Sequence, residues 1–391
     1  MLQRRRALIL ALGLLGACRD ADSSGTSSSA PSFPPSSAGA SGCFGPNQVF
    51  SAPQTPVQVP LATLVLGPYS QVTAAADAEL LYVTGADATV FALDVTGPVP
   101  VETEVVGLGA VAFHLTTLHG IATTPELSGL AVLDATHLVL VEHASNTLLT
   151  CERATQDVLA DYAGLPSEIP GFADGLGSSA RFSFGAPTRI AATGEAESSV
   201  LVADVGNHAL RLVLSSGGVA FVTTLAGTGT FGFANGSLAA SAFDTPSGVT
   251  LGCNETVIVS ERGDNGFGQR LRSVQISAAS PFGGWFGSAA TLAGTGTAGS
   301  SEGTASTALL SAPVSPLSTA GGELYWIDSG TGVLRRRQAS GSCDCPLALD
   351  CATAVATPDF PAGHDFSLTQ TSSGVLYVLD ATDGVLWRVT P

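Results

Sequence analysis

The chain has 391 residues, 45% of them hydrophobic and 12% charged, with 46 Gly, 22 Pro and no Lys. Sparse charge with frequent Gly and Pro argues against a helical protein. The acids outnumber the Arg residues 32 to 15, a net charge of −17, and this excludes a nucleic-acid partner, which would require clustered cations.

The first predicted element is a leader over residues 1–17. Arg4, Arg5 and Arg6 precede an apolar run from Ala7 to Ala17 that is too short to span a bilayer, so it reads as a signal peptide. Without those three cations, 12 Arg face 32 acids, a balance of −20. Leu15-Gly16-Ala17-Cys18 resembles a bacterial lipobox, which implies a diacylated Cys18 and a lipid anchor as the only membrane contact. Residues 18–45 are rich in Ser, Ala, Gly and Pro and cannot bury a core. They read as a disordered tether, with a flexible-coil reach of about 25–30 Å. Residues 46–391 form the folded body.

That body is built from repeats. Apolar runs of strand length recur at Leu81-Tyr82-Val83, Leu138 to Glu142, Val200 to Asp204, Val257 to Glu261, Leu324 to Asp328 and Leu376 to Asp380. Each is followed by a polar turn and a returning apolar run, the pattern of a β-meander. Five end in an acid: Glu142, Asp204, Glu261, Asp328 and Asp380. The first copy has Gly85 there instead. An acid at a strand end can accept backbone N–H bonds two residues on, so these five are predicted turn residues. In the third copy Gly206 and Asn207 suit the positive-φ positions of the turn.

A Gly-rich stretch joins the units. Ala226-Gly227-Thr228-Gly229-Thr230-Phe231-Gly232-Phe233-Ala234-Asn235-Gly236 is echoed at Ala293 to Gly303 and foreshadowed by Gly171-Phe172-Ala173-Asp174-Gly175. Each copy leads to an apolar or aromatic residue and then Pro, at Phe182 to Pro187, Phe243 to Pro246 and Leu309 to Pro313. Two copies fit G-x-G-x-x-G, but no helical periodicity follows either, so the dinucleotide reading fails and an inter-blade loop is expected.

The run Asp204-Val205-Gly206-Asn207-His208-Ala209-Leu210-Arg211 resembles the core of the NHL repeat, and the Gly-rich stretch resembles its bacterial form. The resemblance covers roughly residues 57–390 and is strongest in the third and fourth copies; His208 has no counterpart in the others. Six four-stranded units imply an all-β, six-bladed β-propeller. Its ring is expected to close by pairing the early run Val57 to Leu66 with the last strand, Leu386 to Val389.

Beyond Cys18 the sequence holds Cys43, Cys151, Cys253, Cys343, Cys345 and Cys351. An even count in an exported protein favours disulfides, with one bridge expected inside the Cys343–Cys351 cluster. A zinc site there would lack paired C-x-x-C units. No H-E-x-x-H, G-x-S-x-G or P-loop is present. No cofactor is expected. Zinc at the cysteines, or Ca²⁺ at Asp264-Asn265-Gly266 or Asp380 to Asp383, is the competing expectation, although Ca²⁺ needs six or more converging ligands.

The expected function is therefore that of a lipid-anchored, non-catalytic scaffold of the bacterial cell envelope, binding a protein or glycan. The alternative is a metal-dependent envelope hydrolase or lyase. Some six-bladed propeller enzymes place metal ligands around the central channel, where His119, His143 and His208 could face.

Overall fold

The computed structural model describes residues 56–75, 78–185, 187–193, 199–216, 218–252, 256–279, 285–301, 303, 306–319, 323–337, 352–354 and 360–389. The leader, Cys18, the tether and Cys43, Cys253, Cys343, Cys345 and Cys351 lie outside them. Six antiparallel sheets form the blades of a propeller.

Strand β1 (Val57–Gln58) comes first in the chain. Blade 1 comprises β2 (Val72–Ala74), β3 (Leu80–Thr84), β4 (Val90–Asp94) and β5 (Val101–Val106). Helix α1 (Ala110–His119) then leads to blade 2, formed by β6 (Leu127–Val132), β7 (His137–Glu142), β8 (Thr147–Glu152) and β9 (Leu159–Ala163). Blade 3 gathers β10 (Gly175–Leu176), β11 (Ile190–Ala192), β12 (Ser199–Asp204), β13 (Ala209–Ser216) and β14 (Val219–Ala226). Blade 4 repeats that plan with β15 (Gly236–Ser237), β16 (Pro246–Leu251), β17 (Thr256–Glu261), β18 (Arg270–Ala279) and β19 (Trp285–Ala293). Blade 5 has β20 (Pro313–Ser318), β21 (Leu324–Asp328), β22 (Val333–Arg337) and β23 (Ala352–Ala354). Blade 6 has β24 (Phe366–Gln370), β25 (Leu376–Asp380) and β26 (Val385–Val389), and β1 pairs on its outer edge.

The innermost strands β2, β6, β11, β16, β20 and β24 touch in that circular order, and β24 touches β2. The ring is closed by register pairs Val57↔Arg388 and Gln58↔Trp387, followed by Val59 N donating to Leu386 O at 2.8 Å. The closing strand is shorter than the apolar run Val57 to Leu66 suggests. Pro60 has no N–H to continue the ladder, and the chain turns to blade 1, where Thr63 N and Leu64 N donate to the Glu102 carboxylate at 2.8 and 2.9 Å.

The near-continuous apolar runs follow from burial on both faces. In β12, Val200 and Val202 pack toward blade 2 while Leu201 and Ala203 pack toward blade 4. Each pair of neighbouring blades shares one such apolar cluster, so no blade covers its own faces. Helix α1 is the element the sequence reading did not anticipate. It fills the connection between blades 1 and 2 and buries Val111, His114 and Leu115 at i, i+3 and i+4. Left-handed glycines bound it, Gly109 at φ 81° and Gly120 at φ 67°. Its ten residues are too few, and its Thr116-Thr117 pair too weakly helical, to stand out from a Gly-rich background. Among the described residues no helix is long and apolar enough to cross a membrane.

Candidate functional site

In each blade the turn joining the second and third strands shares one face of the ring with the connection entering the innermost strand. On this loop face the strand-end acids do more than cap their own turns. Each draws in the segment that enters its blade. Glu142 Oε1 accepts from Glu126 N at 2.8 Å, Asp204 Oδ1 from Ser183 N at 2.9 Å, and Glu261 Oε1 from Asp244 N at 2.8 Å. Asp328 accepts from the Ser311 backbone, and Asp380 takes the His364 imidazole at 2.9 Å. Local turn bonds also form at Glu142, from Ser145 N at 2.6 Å, and at Asp380, from Thr382 N and Asp383 N, both at 3.1 Å. In the first copy the equivalent acceptor is Thr84, the last residue of β3, whose Oγ1 takes Gln71 N at 2.8 Å. Gly85 lies one residue beyond it.

In blades 3, 4 and 5 the acid also meets a buried Arg from the next strand. Arg211 Nη1 donates to Asp204 Oδ2 at 2.8 Å, Arg272 Nη1 to Glu261 Oε2 at 3.1 Å, and Arg335 Nε pairs with Asp328 Oδ2 at 2.6 Å. The Gly-rich loop completes the cage. Arg211 Nη2 reaches Ala173 O and Asp174 Oδ1, and Arg272 Nη2 reaches Ala234 O and Asn235 Oδ1. The Arg211 guanidinium lies 5.0 and 5.2 Å from the Phe172 and Phe182 ring centroids, and that of Arg272 lies 4.9 and 5.1 Å from those of Phe233 and Phe243. The repeat signature of Phe-Ala-Asp/Asn followed by a second Phe is thus an Arg-binding cage. Sequence reading missed these three Arg because the acid-to-Arg spacing is seven residues in blades 3 and 5 but eleven in blade 4. Burial pushes Asp204 up to about 6 and Glu261 and Asp328 up to about 7, against the pull of their guanidinium partners.

The turn in blade 3 differs from its expected geometry. Val205–Asn207 form one 3₁₀ turn, and the positive-φ residue is His208, at φ 48°. The corresponding place holds Ala88, Asn146, Gln269, Gly332 and Gly384, all at positive φ. His208 is therefore this blade's occupant of a left-handed position found in every turn. The Asn207 amide is used elsewhere, donating to Asp204 Oδ2 at 2.9 Å and Gly171 O at 2.8 Å. Gly227 is needed where the loop crosses this turn, because a Cβ there would stand 2.8 Å from His208 O.

The three His residues considered for a channel metal do not converge. His119 sits at the end of α1 against Asp161, His143 Nδ1 pairs with Glu126 Oε2 at 3.0 Å, and His208 Nδ1 accepts from Thr245 N at 3.2 Å. The channel is instead crossed by an ion pair. Arg189, just before β11, and Asp365, just before β24, belong to opposite blades, and Arg189 Nη2 meets Asp365 Oδ1 at 3.0 Å and Phe366 O at 2.8 Å. Burial lowers the Arg189 pKa and raises that of Asp365. The two acidic turns with candidate Ca²⁺ oxygens make contacts within the protein. Asn265 N, Asn265 Nδ2 and Phe267 N all donate to the Asp244 carboxylate, and Asp264 faces Arg262 at 3.6 Å. Asp380 is held as described above.

Cys151 was expected among the disulfide partners. It is a free thiol in β8, buried in the cluster shared by blades 1 and 2, and burial pushes it up to about 12. No disulfide occurs among the described residues. Trp326 packs between blades 4 and 5 with its Nε1 donating to Asp328 Oδ1 at 3.1 Å, and Trp387 packs beside the apolar cluster of blades 5 and 6.

The loop face also exposes large apolar side chains on successive connections. Ile169 lies between blades 2 and 3, Phe231 between blades 3 and 4, and Phe267 on the turn of blade 4. Ile169 is 75% and Phe231 54% exposed, too open for core residues. Phe231 stands between His208 at 5.8 Å and Phe267 at 6.2 Å, measured between ring centroids.

No protein-family model and no curated protein matches the chain. Several solved structures are similar to it. A catalytically inactive virginiamycin B lyase from Staphylococcus aureus, with quinupristin, is 12% identical over 86% of this chain and 99% of its own, with a TM-score of 0.47. A calcium-binding protein, regucalcin, from Agrobacterium tumefaciens is 13% identical over 87% of this chain and 93% of its own, with a TM-score of 0.48. A protein of unknown function from Bacteroides thetaiotaomicron is 12% identical over 82% of this chain and 58% of its own, with a TM-score of 0.44. At such identities nothing about activity carries across.

Proposed function

We propose that this chain is a lipid-anchored, non-catalytic propeller of the bacterial cell envelope whose loop face binds a protein. The observation that carries the binding role is the set of exposed apolar residues on the loop face, Ile169, Phe231 and Phe267. Exposed apolar groups gathered on one side of a protein mark an interaction surface, and aromatic anchors supply most of the affinity at such surfaces. An aliphatic Ile169 on the same face as the phenyl rings suits a protein surface better than a glycan, whose hydroxyls need polar partners. The anchor rests on the lipobox-like run ending in Cys18 and on the tether that follows it.

Two measurements test the two halves. Cys18→Ala should shift the protein from the membrane fraction to the soluble fraction and abolish labelling by a fatty-acid probe; unchanged fractionation removes the anchor. Envelope extract passed over wild-type protein should yield a partner whose retention falls when Phe267→Asp or Phe231→Asp is introduced. Thr136→Asp, on the opposite face, should retain it. Equal retention by all three variants overturns the loop-face reading, and retention relieved by free oligosaccharide would make the partner a glycan.

A further inference from the structure

We infer that His114, His119 and Asp161 form a binding site for a divalent transition-metal ion, with zinc the ion best suited to the donor set. The site lies away from the channel, between helix α1 and the outer strand of blade 2, and it stands whether or not the loop face binds a protein. His114 Nε2 lies 3.0 Å from Asp161 Oδ1, and His119 Nε2 lies 2.9 Å from Oδ2 and 3.1 Å from Oδ1. Two imidazole nitrogens and one carboxylate thus converge, each offering a donor within 4.8 Å of the others. A tetrahedral zinc with bonds of about 2.0–2.2 Å sets its donors roughly 3.3 Å apart, so slight rotation of the side chains would admit the ion. Imidazole with a single carboxylate suits zinc and its first-row neighbours; Ca²⁺ would need many more oxygens.

The three side chains come from rigid supports. His114 is 8% exposed and packed on the inner face of α1 beside Val111 and Leu115. Asp161 stands on β9 opposite Leu149 of β8. The entrance of the helix is tied to blade 2 and its last turn is closed by a glycine cap. Asp157 Oδ1 accepts from Gly107 N at 2.6 Å before α1, and Gly120 N donates to Thr116 O at 3.1 Å after it. Ligands fixed before the ion arrives lose less on binding it. Asp161 is 40% exposed and His119 22%, so the outer side of the cluster faces solvent. That is the arrangement of a three-ligand site with an exchangeable position, and unlike that of a closed structural zinc. The second His–carboxylate group, His364 with Asp380 and Asp383, is a poorer candidate because backbone N–H groups already occupy Asp380.

The test uses full-length mature protein, oxidised and freed of metal by chelation. Zinc chloride is titrated in by calorimetry, and retained zinc is counted after gel filtration. Wild-type protein should retain one zinc per chain, and Co²⁺ in its place should give ligand-field absorption bands. His119→Ala and Asp161→Asn, both at partly exposed positions that tolerate change, should each weaken zinc binding by roughly tenfold or more and lose the cobalt bands. His137→Ala, at an unrelated His–Asp pair, should bind as wild type does. A wild-type protein that retains no zinc, or His119→Ala and Asp161→Asn proteins that retain it undiminished, overturns the site.

Discussion

At the scale of single residues, the organising contact is the caged Arg. Arg211 and Asp204 are both wholly buried, and each alone would carry a charge into a medium that solvates it poorly. Together with Asp174, two backbone carbonyls and two Phe faces, the guanidinium is satisfied on nearly every side. Such a pair adds little net stability over an apolar replacement, yet removing one member strands the other. Arg211→Ala is therefore expected to cost about 3–5 kcal/mol in urea unfolding. Asn207→Ala removes two hydrogen bonds, one of them to a carboxylate, and should cost about 1–3 kcal/mol. The two losses should fall short of additive in the double variant, since both residues act on Asp204. Full additivity would mean that the acid is not the shared centre.

At the scale of elements, the closing strand is the weakest joint. β1 contributes two residues to blade 6, and the next residue, Val59, drops into the cluster shared by blades 6 and 1. Val57 is 64% exposed and Val59 8%. Val59→Thr should cost about 1–2 kcal/mol by burying a hydroxyl, while Val57→Thr should stay within about 0.5 kcal/mol. Thermal midpoints measured side by side check this, and equal effects would mean that the strap is not seated as described. This joint was legible in the sequence, as were the six repeats, because strand runs and Gly-rich turns are local patterns. The Arg cages were not. Arg211 draws on residues 172–174, 181–182 and 204, and no local window contains them all. The site between α1 and β9 was hidden for the same reason: Asp161 lies 42 residues beyond His119, with three strands of blade 2 between them.

At the scale of the whole molecule, Arg189 and Asp365 tie opposite sides of the ring. They are 176 residues apart in sequence and belong to blades 3 and 6, so their contact exists only when the circle has closed. Arg189 is buried and Asp365 is 17% exposed, and burial opposes the charge on each, lowering the Arg189 pKa and raising that of Asp365. The pair is then held by mutual attraction and by the Phe366 carbonyl against a large desolvation cost. From this balance, Arg189→Met alone should cost about 3–5 kcal/mol, because it leaves Asp365 largely buried and unpaired. Asp365→Leu alone should cost a similar amount by stranding the guanidinium. The double variant should recover most of the loss, since two apolar side chains can pack where two charges stood. Urea unfolding of the wild type, the two single variants and the double variant closes the thermodynamic cycle. A coupling of the expected sign between residues so far apart in the chain would place a direct contact across the axis. Strictly additive costs would mean that the two charges act on their own blades alone.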